Sequence, residues 1–309
     1  MILEFIYIIV GVTLVLLGAD RLTDGASALA RRFGVPEMVI GLTIVACGTS
    51  MPEFFVSLMS ALNGTSDMAV GNVLGSNIMN TMLIVGCAAV VAPMVISPST
   101  VRKDIPFAIG ASILLLLLCT DAAISRLDGI ILLVGFALFM AYTLWQAKGT
   151  KTEDTGSAKQ QNPWLSLGYI VLGLAGLVFG SNLFVSSASN VATTLGVSQS
   201  VIGLTIVAGG TSLPELATSV VAAHKGRSAI AIGNVIGSNV MNILLVLGMT
   251  AFIHPLRIMG ITIVDLMMML VSVGILWLFA FTKYYVSRRE GFILILFFAC
   301  YMAWLLYLL

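Results

Sequence analysis

The feature that most constrains this chain is an internal repeat. EMVIGLTIVACGTSMPE at 37–53 returns as QSVIGLTIVAGGTSLPE at 199–215, and GNVLGSNIMN at 71–80 returns as GNVIGSNVMN at 233–242. The offset is 162 residues in both cases, and it holds without a gap over 11–93. In the best-matched stretch about 30 of 57 aligned positions are identical. The chain therefore contains two copies of one unit.

The composition excludes a soluble domain. Only 9% of the residues are charged and 59% are hydrophobic, whereas a soluble domain carries about 25% charged residues. A formal net charge of +1 gives no sign of a nucleic-acid or acidic partner. A membrane-spanning helix needs about 20 mostly apolar residues, and ten segments meet this need. The predicted spans are 2–19, 36–61, 68–92, 105–120, 128–146, 164–185, 198–222, 229–253, 262–281 and 291–308.

The spans also predict how the chain crosses the membrane. Each copy holds five spans, and because five is odd the second copy must enter the membrane upside down. Lys and Arg accumulate in cytoplasmic loops. With the N-terminus outside, 13 of the 15 basic residues fall in cytoplasmic loops, and only Arg126 and Arg257 face out. We therefore expect a multi-pass protein of the cell membrane, surrounded by lipid bilayer, with both termini outside.

These observations predict an all-α membrane protein with ten transmembrane helices, arranged as two inverted five-helix repeats. The first repeat is predicted to cover 1–147 and the second 164–309, with a polar cytoplasmic linker at 148–163. Inverted repeats of this kind build secondary transporters, whose binding site lies near the bilayer midplane where the copies meet. The architecture is therefore itself an indication of function.

Two glutamates, Glu53 and Glu215, lie about halfway through predicted spans at matched positions. An ionisable group at this depth costs several kcal/mol unless it has a partner, and no Lys or Arg lies within either span. A protonated Glu that only stabilises packing is the alternative, but it does not explain the recurrence in both copies. Two carboxylates facing each other would repel, and a divalent cation removes the repulsion because its charge neutralises both.

Hydroxyl and main-chain oxygens accompany each glutamate. Thr49 lies four residues before Glu53, and Thr211 lies four residues before Glu215, so each Thr shares a helix face with its Glu. Each Glu also directly follows a proline, which removes a helix hydrogen bond and pushes a carbonyl aside. We therefore expect main-chain oxygens near 46–48 and 208–210 to be released toward the site.

The next span of each copy adds further oxygen ligands. Ser76 and Asn80 share one helix face, and Ser238 and Asn242 repeat the pattern. The complete set holds carboxylate, hydroxyl, amide and carbonyl oxygens, with no His or Cys. Ligand sets made only of oxygen select Ca²⁺, Na⁺ or Mg²⁺ over zinc or copper.

Four other asparagines occur in the same motifs. Asn72, Asn77, Asn234 and Asn239 could form hydrogen bonds between helices or support the ligands, and the sequence leaves both readings open. The glycines of the motifs are expected to allow close helix packing rather than to contact a ligand.

The paired motifs resemble a known family. GTSMPE at 48–53 with GSNIMN at 75–80, and GTSLPE at 210–215 with GSNVMN at 237–242, are similar to the two alpha-repeats of sodium/calcium exchangers. The match is to the compact prokaryotic branch of the cation/calcium exchanger superfamily and covers nearly the whole chain. The resemblance implies ten helices, a pseudo-twofold axis in the membrane plane, and alternating access around one Ca²⁺ site flanked by sodium sites.

The resemblance also implies roles for individual residues. Carried over position by position, the Ca²⁺ ligands would be Glu53, Glu215, Thr49 and Thr211. The sodium sites would be formed by Ser50, Ser212, Ser76, Ser238 and, through their carbonyls, Ala46 and Ala208. Asn80 and Asn242 complete the predicted metal-binding set. Potassium-dependent exchangers carry an Asp in this region, so these two neutral side chains argue against potassium coupling.

The leading interpretation is a secondary antiporter that exchanges Na⁺ for Ca²⁺ and is electrogenic. The alternative is an H⁺/Ca²⁺ antiporter of the same fold, but that branch typically places its acidic residue in a GN-x-x-E motif, whereas both glutamates here follow GTS-x-P. A channel does not need two inverted halves, and a scaffold does not explain two buried glutamates. No HExxH or GxSxG motif indicates an enzyme. The expected ligands are the transported ions, with no cofactor and no obligate protein partner.

Overall fold

The computed structural model describes residues 2–149, 163–196, 206 and 208–308. Nearly all of this part is helical. The helices are α1 (Ile2–Phe33), α2 (Glu37–Thr49), α3 (Met51–Leu62), α4 (Ser66–Val91), α5 (Thr100–Asp121), α6 (Arg126–Gly149), α7 (Pro163–Thr194), α8 (Ala208–Thr211), α9 (Leu213–His224), α10 (Ser228–Ile253), α11 (Ile263–Lys283) and α12 (Arg288–Leu308). Four two-residue strands complete the description: β1 (Met94–Val95), β2 (Ala123–Ile124), β3 (Leu256–Arg257) and β4 (Tyr285–Val286).

Seven of these helices are long and apolar enough to cross a membrane: α1, α4, α5, α6, α7, α10 and α11. The bent pair α2 and α3 makes eight if it is one span, with an angle of 45° between its halves. The chain is therefore an all-α membrane protein. The count of ten spans stays a prediction, because the predicted span 198–222 lies partly outside the described residues and α12 is not among the seven. The predicted linker 148–163 lies almost wholly outside them.

Helices α1 and α7 touch backbone to backbone. A methyl group added at Gly11 would lie 2.8 Å from the carbonyl oxygen of Gly180, and one at Gly18 would lie 2.7 Å from that of Gly173. The offset of 162 residues matches Gly11 with Gly173 and Gly18 with Gly180, so the two contacts are equivalent. Small residues allow such close approach between membrane helices, so α1 and α7 form one tightly packed pair.

The short strands are related by the same offset of 162 residues. β1 pairs with β4 through Met94 and Val286, and β2 pairs with β3 through Ala123 and Arg257, both antiparallel. The offset relates β1 to β3 and β2 to β4, so the two pairings are equivalent. Each one joins a strand of the first copy to a strand of the second, which interlocks the copies.

The centre of the protein is formed by α4 and α10, which carry the GN and GSN motifs. Buried residues make up 94% of the apolar stretch of α10 and 72% of that of α4, against 22% for α1. Both central helices contain a π-helical turn, at Met79–Ile84 and Asn242–Leu247. Such turns shift the helical hydrogen bonds by one residue and occur frequently at functional sites. The polar motifs are therefore placed in the most enclosed part of the molecule.

Candidate cation-binding site

The two glutamates sit where a helix breaks and restarts. The helix that begins at Glu37 stops at Ser50, which leaves helical geometry (φ −82°, ψ 5°), and Glu53 lies in the first turn of α3. The second copy repeats this arrangement with Ser212 (φ −90°, ψ 7°) and Glu215 in α9. A proline stands at the start of each new helix, where no hydrogen-bond donor is needed. The positive end of the helix dipole therefore faces each carboxylate.

Each carboxylate accepts a hydrogen bond from a serine of the other copy. Ser212 Oγ donates to Glu53 Oε1 at 3.0 Å, and Ser50 Oγ donates to Glu215 Oε1 at 3.1 Å. Ser76 Oγ also reaches Glu53 Oε1, at 3.5 Å, and lies 3.1 Å from Ser212 Oγ. Both glutamates are fully buried. The two copies therefore complete one shared site and not two separate ones.

Several buried oxygens of this site have no hydrogen-bond donor within the described residues. They are Glu53 Oε2, Glu215 Oε2, Asn80 Oδ1, Asn242 Oδ1 and Ser238 Oγ. Ser238 Oγ lies beside the Glu215 carboxylate without a hydrogen bond of normal geometry. Buried polar atoms are almost always satisfied in native proteins, and a charged one without a partner is costly. Buried acceptors without donors, such as these, are available to a cation.

The asparagines on α4 and α10 form a symmetric network across the copies. Asn80 Nδ2 donates to Asn239 Oδ1 at 3.1 Å, and Asn242 Nδ2 donates to Asn77 Oδ1 at 3.1 Å. Asn239 Nδ2 donates to Thr81 Oγ1 at 2.7 Å. Because their nitrogens are used in this way, the oxygens of Asn80 and Asn242 are the atoms left available. Both readings of Asn77 and Asn239 thus apply, since they join helices and orient the predicted ligands.

The release expected for the Ala46 carbonyl does not occur, while its role as a sodium ligand stays a prediction. This oxygen is not released from the helix, because it accepts hydrogen bonds from Ser50 N at 3.0 Å and from Thr49 Oγ1 at 3.3 Å. Pro52 removes the donor for the carbonyl two residues further on, and the break therefore starts at Ser50. Thr49 Oγ1 also lies 3.1 Å from Asn234 Oδ1, which belongs to the other copy.

The corresponding part of the second copy is described only in part. Ala208 begins α8 and Thr211 ends it, and Thr211 is buried. Residues 197–205 lie outside the described part of the chain, so the main-chain oxygens predicted near 208–210 stay a prediction.

The site relies on few charges. Within the described residues no group of three or more His, Cys, Asp or Glu side chains could hold a metal ion, so neutral oxygens must supply most of the ligands. An apolar crevice of about 310 Å³ lies between α1 and α9 and is lined by residues such as Val15, Cys87 and Leu216. None of the side chains that line the crevice carries an oxygen that could bind an ion. The crevice is therefore distinct from the cation site.

The fold and this carboxylate pair define a polytopic membrane protein with an oxygen-lined site between two copies of one motif. The family model described as "Sodium/calcium exchanger protein" matches residues 3–145 and 165–307, two segments related by the same offset of 162. The chain therefore belongs to the sodium/calcium exchanger family, and the resemblance drawn from the motifs is confirmed.

Individual relatives cover most of the chain. Inner membrane protein YrbG of Escherichia coli is 38% identical over 264 residues, covering 82% of this chain and 81% of the relative. The sodium/calcium exchanger MaX1 of Methanosarcina acetivorans is 30% identical over 355 aligned positions, covering 99% of both. Among solved structures, the sodium-calcium exchanger NCX_Mj soaked with Na⁺ and Ca²⁺ is similar with a TM-score of 0.86 at 32% identity, covering 98% of each chain.

Proposed function

We propose that this protein exchanges Na⁺ for Ca²⁺ across the membrane by alternating access. The observation that carries the proposal is the pair of buried carboxylates, each with one oxygen that has no hydrogen-bond partner in the described part of the chain. No Lys or Arg is among the buried residues there. Cations must therefore balance the charge, and two carboxylates match the charge of one Ca²⁺.

The proposed ligands follow the matched positions. Ca²⁺ is bound by Glu53, Glu215, Thr49 and Thr211. The four serines and the two alanine carbonyls hold Na⁺, and Asn80 and Asn242 complete the metal-binding set. The shared hydrogen bonds between Ser50 and Glu215, and between Ser212 and Glu53, support this arrangement. They place the proposed sodium ligands directly beside the proposed Ca²⁺ ligands, so that occupancy by one ion disturbs the site of the other.

The proposed architecture is ten spans in two inverted repeats, 1–147 and 164–309, with both termini outside. The equivalent glycine contacts and strand pairings support the repeat. Contacts between the ends of spans support the grouping of these ends on one side of the membrane, because residues expected on the same side meet each other. Arg102 donates to the Tyr284 hydroxyl at 3.0 Å, and Gln146 donates to Ser99 Oγ at 2.5 Å. All four residues are predicted to lie near the cytoplasmic side.

The coupling ion is tested by ⁴⁵Ca²⁺ uptake into proteoliposomes loaded with Na⁺, K⁺ or choline, with and without a pH gradient. We expect uptake only with internal Na⁺. Uptake driven fully by a pH gradient would support the H⁺/Ca²⁺ alternative, and no uptake under any condition would overturn the exchange function. Glu290→Gln is a matched control, because Glu290 caps α12 through Ser287, a contact that a Gln side chain can also form.

The stoichiometry is tested with voltage. If three Na⁺ leave for each Ca²⁺ that enters, one positive charge leaves the vesicle per cycle. An inside-positive potential should then accelerate uptake, and 100 mV should change the equilibrium Ca²⁺ gradient by about 50-fold. Uptake that is indifferent to voltage would indicate an electroneutral exchange of two monovalent ions for one Ca²⁺.

A further inference from the structure

The asparagine of each GN motif ties the glutamate helix to the central helix beside it. Asn72 Nδ2 donates to the main-chain oxygen of Glu53 at 3.2 Å and to Ser57 Oγ at 2.9 Å. Ser57 Oγ donates in turn to the carbonyl oxygen of Ala69 at 3.2 Å. This circuit holds the first turn of α3 against α4.

The second copy contains the same circuit. Asn234 Nδ2 donates to the main-chain oxygen of Glu215 at 3.4 Å and to Ser219 Oγ at 3.0 Å. Ser219 Oγ lies 3.5 Å from the carbonyl oxygen of Ala231, to which it donates. Asn234 is fully buried. All the partners correspond through the offset of 162 residues, so the tie belongs to the repeated unit.

Asn234 makes one contact that also crosses between the copies. Its Oδ1 accepts a hydrogen bond from Thr49 Oγ1 at 3.1 Å. One amide thus holds the backbone of Glu215 through its nitrogen and the hydroxyl of Thr49 through its oxygen. When the hydrogen of Thr49 points to Asn234, the lone pairs of this hydroxyl are left for a cation.

The first turns of α3 and α9 need such a tie. Each turn follows an interruption of the helix. It therefore lacks a continuous preceding turn, which would normally hold it in place through hydrogen bonds. The carboxylates project from these turns, and a small rotation of either turn would move the carboxylate oxygens. Ligand geometry of this kind is maintained by the residues that support the ligands.

We propose that Asn72 and Asn234 are positioning residues for ion exchange, which fix the two carboxylates, and that Asn234 also fixes Thr49. Neither amide contacts a carboxylate oxygen, so neither is itself a ligand. The inference rests on the proposed function, because it gives these residues a role in Ca²⁺ affinity. Asn234 has the larger role, since it holds a predicted ligand in each copy.

The test compares Asn234→Ala and Asn72→Ala with Asn190→Ala. Asn190 is a matched control, because its amide donates to Glu4 Oε1 at 3.3 Å on α1 and is remote from the site. Equilibrium ⁴⁵Ca²⁺ binding is measured on purified protein, together with the melting temperature without Ca²⁺. We expect Asn234→Ala to weaken Ca²⁺ binding about tenfold and Asn72→Ala about threefold, as expected for lost hydrogen bonds. Asn190→Ala should leave the affinity unchanged.

A double-mutant cycle with Thr49→Val isolates the contact between the copies. If Asn234 acts partly through Thr49, the two substitutions together should weaken binding less than the product of their separate effects. Affinities of both asparagine variants equal to wild type, or reduced only in step with a lower melting temperature, would overturn the positioning role. A wild-type protein that binds no Ca²⁺ would instead overturn the proposed function, and the positioning role with it.

Discussion

The two copies of the motif agree at the centre of the molecule and differ at its ends. At the centre the main contacts of one copy recur in the other at the offset of 162 residues, including those of Ser50 and Ser212 with the glutamates and those of Asn80 and Asn242. At one end, Lys225 and Arg227, in the loop between α9 and α10, form ion pairs with α1. Lys225 Nζ lies 2.6 Å from Asp20 Oδ1 and 2.9 Å from Asp24 Oδ1, and Arg227 Nη1 lies 2.9 Å from Asp24 Oδ1.

The matched end has no such charges. The positions that correspond to Asp20 and Asp24 are Asn182 and Ser186, and those that correspond to Lys225 and Arg227 are Asn63 and Thr65. The helices differ in the same way, because α1 packs along α9 whereas α7 makes hardly any contact with α3.

The two copies therefore have similar sequences but differ in how their first helix packs against the glutamate helix. A transporter with alternating access must close one end while the other is open. Under the proposed mechanism the end with the ion pairs is the closed one, because α1 lies against α9 there. It is also the end predicted to face the cytoplasm. An interaction present at only one end stabilises one of the two states and so sets their relative populations.

The largest expected effect tests the agreement at the centre. Glu53→Gln and Glu215→Gln should each abolish Ca²⁺ transport while the protein still folds and inserts, because one carboxylate leaves a divalent cation half neutralised in a buried site. The measurement is ⁴⁵Ca²⁺ flux in proteoliposomes, with Glu290→Gln as control, and the two variants should lose transport to the same extent. Near-normal flux in either variant would show that the two copies do not share the site equally.

The second prediction tests the difference at the ends. Asp24→Cys with Arg227→Cys and, separately, Ser186→Cys with Thr65→Cys are made without the four native cysteines. A short bifunctional thiol reagent should join the first pair rapidly and stop transport, because the packing of α1 along α9 keeps these two positions near each other even without the ion pair. The second pair should react at least about tenfold more slowly, since closure there requires a state whose free energy is a few kcal/mol higher. Similar cross-linking rates for the two pairs would show that the two ends do not differ in how readily they close.

The third prediction returns to a symmetric feature, the contact between α1 and α7. Gly11→Ala and Gly18→Ala should destabilise the protein to a similar extent, by about 1–3 kcal/mol, because each added methyl would overlap a carbonyl oxygen of the partner helix. Gly168→Ala is the control, since nothing lies within 4 Å of a methyl group there. The measurement is the melting temperature in detergent. Unequal losses would show that the pair is held at one end only.

The sequence was sufficient to predict the features that repeat. Helix periods, the buried glutamates and the matched motifs all depend on local pattern, and they predict which residues belong to the site. The sequence did not predict that Ser50 contacts Glu215 and not the nearer Glu53. That pairing depends on how the copies meet, and the break at Ser50, which left the Ala46 carbonyl bonded, depends on packing around the proline.

The ion pairs at one end were also not foreseen. Asp20 and Asp24 lie on one face of a long helix, and counting charges for orientation treats Lys225 and Arg227 only as residues of a cytoplasmic loop. The repeat itself indicates that the charges are asymmetric, because the positions matched to all four of them at the offset of 162 hold neutral residues.

The smallest expected effect comes from weakening this cluster without removing it. Asp24→Asn removes two ion pairs but leaves Asp20 bound to Lys225, and Arg227 keeps its hydrogen bond to the carbonyl oxygen of Thr23 at 2.7 Å. The side chains are partly exposed, so each lost pair stabilises the closed end by only about 0.2–1 kcal/mol.

A total near 1 kcal/mol should shift the balance toward the opposite state about fivefold. Because one end opens as the other closes, Asp24→Asn should speed cross-linking of the Ser186→Cys and Thr65→Cys pair by the same factor. High salt should reduce the difference between variant and parent, since these charges are accessible to screening ions. Glu4→Gln, a neutralised acid elsewhere on α1, should leave the rate unchanged. If Asp24→Asn also leaves it unchanged, the ion pairs do not set the balance between the two ends, and the contact of α1 with α9 must do so through packing alone.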